Sequence, residues 1–114
     1  MHRDRKFWTS LDTLVASSEI VIDRPKRSQH PDYPDLIYPV DYGYLNDTRS
    51  QDGHGIDIWV GSRPEKTIDS ILCVVDSLKR DSEIKILYGC TALEKRSILR
   101  FHNSQFMKAA MLTR

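Results

Sequence analysis

The sequence predicts an α+β, mainly β domain: a small antiparallel sheet or barrel with an N-terminal and a C-terminal helix. Three observations carry this expectation. Short β-branched runs recur between residues 19 and 90, divided by polar breaks. Apolar residues near the amino terminus repeat at helical spacing instead. Near the carboxyl terminus a capping-box pattern opens a second helix.

Phe7, Leu11, Leu14 and Val15 stand at i, i+4, i+7 and i+8 with Trp8 beside them, which predicts an amphipathic helix over residues 5–16 packed on a sheet. Glu19 to Asp23 is short and β-branched and reads as a strand ended by Arg24-Pro25. The polar stretch 26–35, with Pro31 and Pro34, reads as a loop. Strands are expected at Leu36 to Leu45, Gly55 to Gly61, Ile68 to Asp76 and Glu83 to Cys90. In Thr91-Ala-Leu-Glu94 the Thr91 hydroxyl can accept from a first-turn N–H while Glu94 reaches back. The helix it opens runs to about His102, and Met107 to Leu112 adds a last strand.

With 114 residues, 39% hydrophobic and 29% charged, the chain has the composition of one globular domain spanning residues 1–114. A net charge of +1 argues against nucleic acid as a partner, since duplex binders concentrate basic charge. The local basic runs at Arg3 to Lys6, Arg24 to Arg27 and Lys79 to Arg80 read as solvated faces. No apolar run reaches membrane-spanning length and the amino terminus has no signal-peptide core, so no membrane partner and a cytoplasmic location are expected. Cys73 and Cys90 fall in apolar strand-like runs without CxxC spacing and read as two buried structural thiols.

The residues with chemistry to offer are Tyr38-Pro-Val-Asp-Tyr42-Gly-Tyr44 and Asp52-Gly-His54-Gly-Ile-Asp57. Asp52 opens a glycine-rich turn where backbone can approach an ion closely. Strand alternation puts Asp57 and Trp59 on one face, with Ile56, Ile58 and Val60 on the other. Two such carboxylates can converge on a hard divalent cation such as Mg²⁺. Taken alone, Asp52-Gly53 is an ordinary turn signal and the tyrosines ordinary sheet residues.

As one string, Tyr38-Pro39-x-x-Tyr42-Gly43-Tyr44, the stretch Leu45 to Gln51, then Asp52-Gly53-x-x-Ile56-Asp57 closely resembles the core signature of the soluble family I inorganic pyrophosphatases. The resemblance implies an OB-like β-barrel and divalent metal, Mg²⁺ or Mn²⁺, held in an acidic cavity. It implies Asp52 and Asp57 as metal ligands, and Tyr38 and Tyr42 as phosphate-facing phenols. Glu83-Ile84-Lys85 resembles the family's Asp-x-Lys step, with Glu83 toward metal and Lys85 toward phosphate. Asp76 or Asp81 matches a further metal carboxylate, and Asp23 a metal-linked acid. The family's central signature aspartate is His54 here, followed by Gly55 in place of proline. Histidine suits Mn²⁺, Co²⁺ or Zn²⁺ better than Mg²⁺, unless His54 stays solvated. The segment between Asp23 and Tyr38 is shorter than the family's, leaving Lys26 or Arg27 as the cations to meet phosphate beside Arg24.

The activity implied is divalent-metal-dependent hydrolysis of inorganic pyrophosphate to phosphate, with Asp57, Lys85 and Tyr42 as the catalytic set. Asp57 would orient and deprotonate the attacking water. The alternative is a non-catalytic OB-like module that binds a phosphorylated ligand or a protein partner. The partner expected on the enzyme reading is a small-molecule phosphate substrate, and homo-oligomerisation is left open.

Overall fold

A computed structural model describes residues 2–50 and 52–114; Met1, the side chains of His2 and of Arg3 in the first basic run, and Gln51 in the middle of the tyrosine–aspartate string lie outside them. Helix α1 spans His2–Ala16, strand β1 Ile20–Arg24, β2 Asp41–Leu45, β3 Ile56–Val60, β4 Ile68–Asp76 and β5 Asp81–Tyr88. Helix α2, Ala92–Phe101, and strand β6, Met107–Thr113, complete the chain. The architecture is α+β and mainly sheet, as the strand-rich pattern predicts.

The strands form one six-stranded sheet in the order β1-β2-β3-β5-β4-β6. Most neighbours are antiparallel, through local hairpins such as β4–β5, but β3 and β5 run parallel, with Ile58 opposite Ile86 and Trp59 opposite Leu87. The expected all-antiparallel barrel is therefore an open mixed sheet, with β1 and β6 as its edges. A parallel pair needs a crossover rather than a tight turn, and β4, on the far side of β5, serves as that crossover.

Each face of the sheet has its own core. Under α1 lie Leu45, Ile58, Ile68, Ile71 and Ile86 with Trp8 and Val15. Trp8, not Phe7, is the helix's buried aromatic: Phe7 is exposed and rests its ring edge-on against Trp8 at 5.3 Å. The opposite face buries Tyr38, Trp59, Leu72, Leu87, Ile98 and Phe101 beneath α2. The capping box of α2 forms as its sequence dictates. The Glu94 N–H donates to the Thr91 hydroxyl at 3.1 Å, and the Thr91 N–H donates to the Glu94 carboxylate at 2.8 Å.

Two local expectations are corrected. Residues 36–40 do not extend β2, because Pro39 cannot donate to a ladder. They return along residues 27–30 instead, through Arg27 N–H to Tyr38 carbonyl at 2.8 Å and a bridge between Gln29 and Ile37. Cys90 is buried, but Cys73 is exposed, since its stretch of β4 faces the α1 side beyond the residues that the helix covers. No described helix is long and apolar enough to cross a membrane.

Candidate functional site

A cavity of about 810 Å³ opens on the α2 side of the sheet. Period-two alternation supplies its floor: Tyr42 and Tyr44 from β2, Asp57 from β3, Glu83 and Lys85 from β5, Asp76 from β4. Gly43 between the two tyrosines is dictated by close approach, since a Cβ there would stand 1.8 Å from the Val21 carbonyl oxygen of β1.

At the centre of the floor Asp57 Oδ2 accepts from the Tyr42 hydroxyl at 2.6 Å and from Lys85 Nζ at 2.6 Å. Lys85 Nζ also donates to the Tyr42 oxygen at 2.8 Å and to Glu83 Oε2 at 3.0 Å. Lys85 is only 8% exposed. Burial works to discharge its ammonium, but Tyr42, Asp57 and Glu83 outweigh it and raise its pKa, so Lys85 stays cationic. Burial pushes the Tyr42 phenol well up, beyond the opposing pull of Lys85, so Tyr42 remains a hydroxyl donor.

The rim of the floor is acidic. Burial raises Asp52's carboxyl, yet the Ser50 hydroxyl at 2.7 Å, the His54 N–H at 2.9 Å and a hydrogen bond to Glu83 bring it down to about 2. Burial holds Glu83 above its ordinary value, aided by that bond to Asp52 and opposed by Lys85. Asp52 and Glu83 both line the cavity, and a hard divalent ion takes oxygen donors of this kind, so the donor chemistry of the pair fits the implied metal. Among the described residues no three His, Cys, Asp or Glu side chains are gathered closely enough to hold a metal ion. Lys85 is the cation that Asp57 and Glu83 surround.

The remaining sequence-predicted residues divide. His54 and Asp23 line the cavity from exposed positions, and Asp81 from a half-buried one at its edge. Asp76 also lines it while capping the β4–β5 turn, accepting from the N–H groups of Leu78 and Lys79 at 3.0 Å. Tyr38 lines it from the loop before β2, with its ring 5.3 Å from that of Tyr42. Lys26 and Arg27 do not line it: the Lys26 N–H is tied to Asp41 at 2.8 Å, and Arg27 takes a left-handed turn at φ 77°.

The cations that do line the cavity are Lys85, Arg24 and Lys79. Arg24 gets there through a β-bulge: Ile22 pairs with Gly43, then Arg24 rather than Asp23 pairs with Tyr42. A bulge leaves no strong mark in sequence, which is why Arg24 is passed over for its neighbours. His102 is missed for another reason. Its Nε2 accepts from the buried Trp59 indole N–H at 3.1 Å, a partner 43 residues away.

No family model matches the sequence, and no curated protein matches it. Solved structures do. An inorganic pyrophosphatase from Neisseria gonorrhoeae superposes with a TM-score of 0.57 at 14% identity, over 84% of this chain and 75% of that one. An inorganic phosphatase from Anaplasma phagocytophilum superposes with a TM-score of 0.56 at 16% identity, over 82% and 81%. At that identity the likeness is one of fold, and the chain shares the fold of these two proteins.

Proposed function

We propose that the protein is a divalent-metal-dependent phosphohydrolase acting on inorganic pyrophosphate or a close relative. One observation carries the reading: Asp57 sits on the cavity floor with one oxygen accepting from both a buried phenol and a buried ammonium. That arrangement sets a carboxylate beside two donors of the kind that bind phosphate oxygens. Asp52 and Glu83 would hold the metal, Mg²⁺ or Mn²⁺. When bound, the ion neutralises phosphate charge and makes water a better nucleophile.

The chain's own residues do the rest. Phosphate oxygens draw the Tyr42 hydroxyl and Lys85 Nζ toward themselves, which frees Asp57 Oδ2 to take the proton of the attacking water. Lys85 remains charged throughout and offsets charge that builds on the phosphoryl oxygens. Tyr38 and Arg24 close the cavity on the side of β1. The fold likeness to pyrophosphate- and phosphate-acting enzymes supports the substrate class. Two free thiols suit a reducing, cytoplasmic setting.

Asp57→Asn preserves shape and hydrogen bonding but removes the proton acceptor. Phosphate release from pyrophosphate, measured with Mg²⁺, Mn²⁺ and Co²⁺ in parallel, should fall at least about a hundredfold. Survival of activity in Asp57→Asn would remove Asp57 from its role. A second reading is favoured by the mutual commitment of Asp57 and Lys85: a binding module in which lysine replaces metal. Absence of hydrolysis by the wild type with all three ions selects that reading.

A further inference from the structure

An edge strand offers unpaired backbone groups to any other strand, and long, weakly charged edges are where such pairing starts. β6 is of that kind: it ends the sheet, runs for seven residues and carries Lys108 as its one charged side chain. Which of its backbone groups are free follows from two bonds on the β4 side. The Phe106 carbonyl accepts from the Ser77 N–H at 3.0 Å, and the Arg114 N–H donates to the Asp69 carbonyl at 2.8 Å. In an antiparallel ladder the N–H and C=O of one residue point the same way, and successive residues alternate. The even-numbered residues therefore bond β4, and Met107, Ala109, Met111 and Thr113 turn their groups outward.

One outward residue is already taken, and not by a strand. Asn103, in the turn after α2, sets its side-chain amide against Ala109. Its Oδ1 accepts from the Ala109 N–H at 3.2 Å, and its Nδ2 donates to the Ala109 carbonyl at 3.4 Å. The same Nδ2 donates to the Leu99 carbonyl of α2 at 2.8 Å, which fixes the amide on the helix end and uses both of its protons. The Met107 N–H is turned to the Ser104 carbonyl at 3.0 Å. Among the described residues, Met111 and Thr113 keep outward groups without a hydrogen-bond partner.

The blocked residue is the one that a second copy needs most. Two β6 strands pairing antiparallel about Ala110 engage the whole strand and set Ala109 of each against Met111 of the other, a small side chain beside a large one. Lys108 then lies beside Leu112 of the second copy rather than beside its own equivalent. Moving the two-fold axis one residue along, to Met111, would bring Lys108 opposite Arg114 of the second copy, two like charges. The pairing about Ala110 avoids that clash, and by symmetry it calls on the Ala109 groups of both copies. We infer that β6 is an interface for a second copy of this chain that the Asn103 amide holds shut.

The test is sedimentation velocity of the intact protein over a concentration series. Asn103→Ala should dimerise at least about tenfold more tightly than the wild type, since one backbone hydrogen bond is worth up to roughly that factor and the amide withholds more than one. Asn103→Ala combined with Ala110→Lys should return to the wild-type value. Ala110 is exposed and meets its own equivalent on the two-fold axis, where paired lysines repel. Equal association of Asn103→Ala and wild type overturns the inference, as does dimerisation that survives Ala110→Lys. Amide hydrogen exchange on the wild type gives a reading that needs no variant to fold. The Ala109 N–H should be protected while those of Met111 and Thr113 exchange fast. Exchange at Ala109 as fast as at Met111 would show that the amide guards nothing, and protection at Met111 would show that the edge is already occupied; either result overturns the inference.

Discussion

Two halves of one sheet face, two residues apart, have opposite chemistry. On β3 the step is from Trp59 to Asp57, and on β5 from Leu87 to Lys85. Trp59 and Leu87 are fully buried beneath α2 with Leu72, Ile98 and Phe101. Asp57 and Lys85 stand just beyond the helix, in an open cavity lined by acids. The dry half is held by apolar area removed from water, which has no direction. The charged half is held by bonds to particular atoms, and each member depends on the others. Removing one methyl-rich side chain leaves a gap, whereas removing one charge leaves its partners desolvated and unpaired.

The largest effects should separate these two kinds of support. Leu87→Ala should cost about 2–5 kcal/mol of unfolding free energy, with little dependence on pH. Lys85→Met keeps the length of the side chain and removes the charge, leaving Asp57 and Glu83 without their counter-ion. It should cost about 3–5 kcal/mol at pH 7, and the loss should shrink in acid as the carboxylates take up protons. Denaturant midpoints for both variants at pH 7 and pH 4.5 test this. A shared pH profile would break the distinction between the halves.

A smaller effect sharpens it. Glu83 has a folded-state pKa raised above its ordinary 4.5, chiefly by burial. Folding therefore favours its protonated form: that contribution is present below pH 4.5 and is lost as pH rises through the raised value. Glu83→Gln imitates the protonated carboxyl. It should melt slightly above the wild type at pH 7 and level with it below pH 4.5. A variant that melts lower at pH 7 would show that the ion pair with Lys85 outweighs the burial of Glu83.

What the sequence discloses follows the range of each interaction. The Thr91–Glu94 capping box is readable because all its atoms lie within four residues. The face that brings Tyr42, Asp57, Glu83 and Lys85 to one floor is readable because alternation is local and the motif's spacing is distinctive. The parallel pairing of β3 with β5 is not, since strand propensity carries no direction. Phe7 and Trp8 differ in burial by the rotation of α1 against the sheet, which only the partner surface decides. Cys73 looks buried among Ile71, Leu72 and Val74, but α1 ends its cover short of that point. Arg24 enters by a bulge, and His102 through an indole far away in sequence.

The parallel seam has a consequence for how the protein could be taken apart. On one side of it lie the antiparallel strands β1, β2 and β3, and on the other β5, β4 and β6, while α1, from the first part of the chain, packs across the seam onto Ile68, Ile71 and Ile86. The chain crosses between them through the exposed turn Arg63-Pro64-Glu65-Lys66. Tyr42, Asp52 and Asp57 lie on the amino-terminal side of that turn, and Glu83 and Lys85 on the carboxyl-terminal side. A polypeptide divided between Pro64 and Glu65 thus distributes one site over two fragments, each with half of the charges and an unsatisfied strand edge. Mixing the fragments should restore the folded sheet, read by circular dichroism, in proportion to their association, and Lys85→Met in the second fragment should weaken that association. The ion pair between Asp57 and Lys85 would then act as the lock of a split reporter.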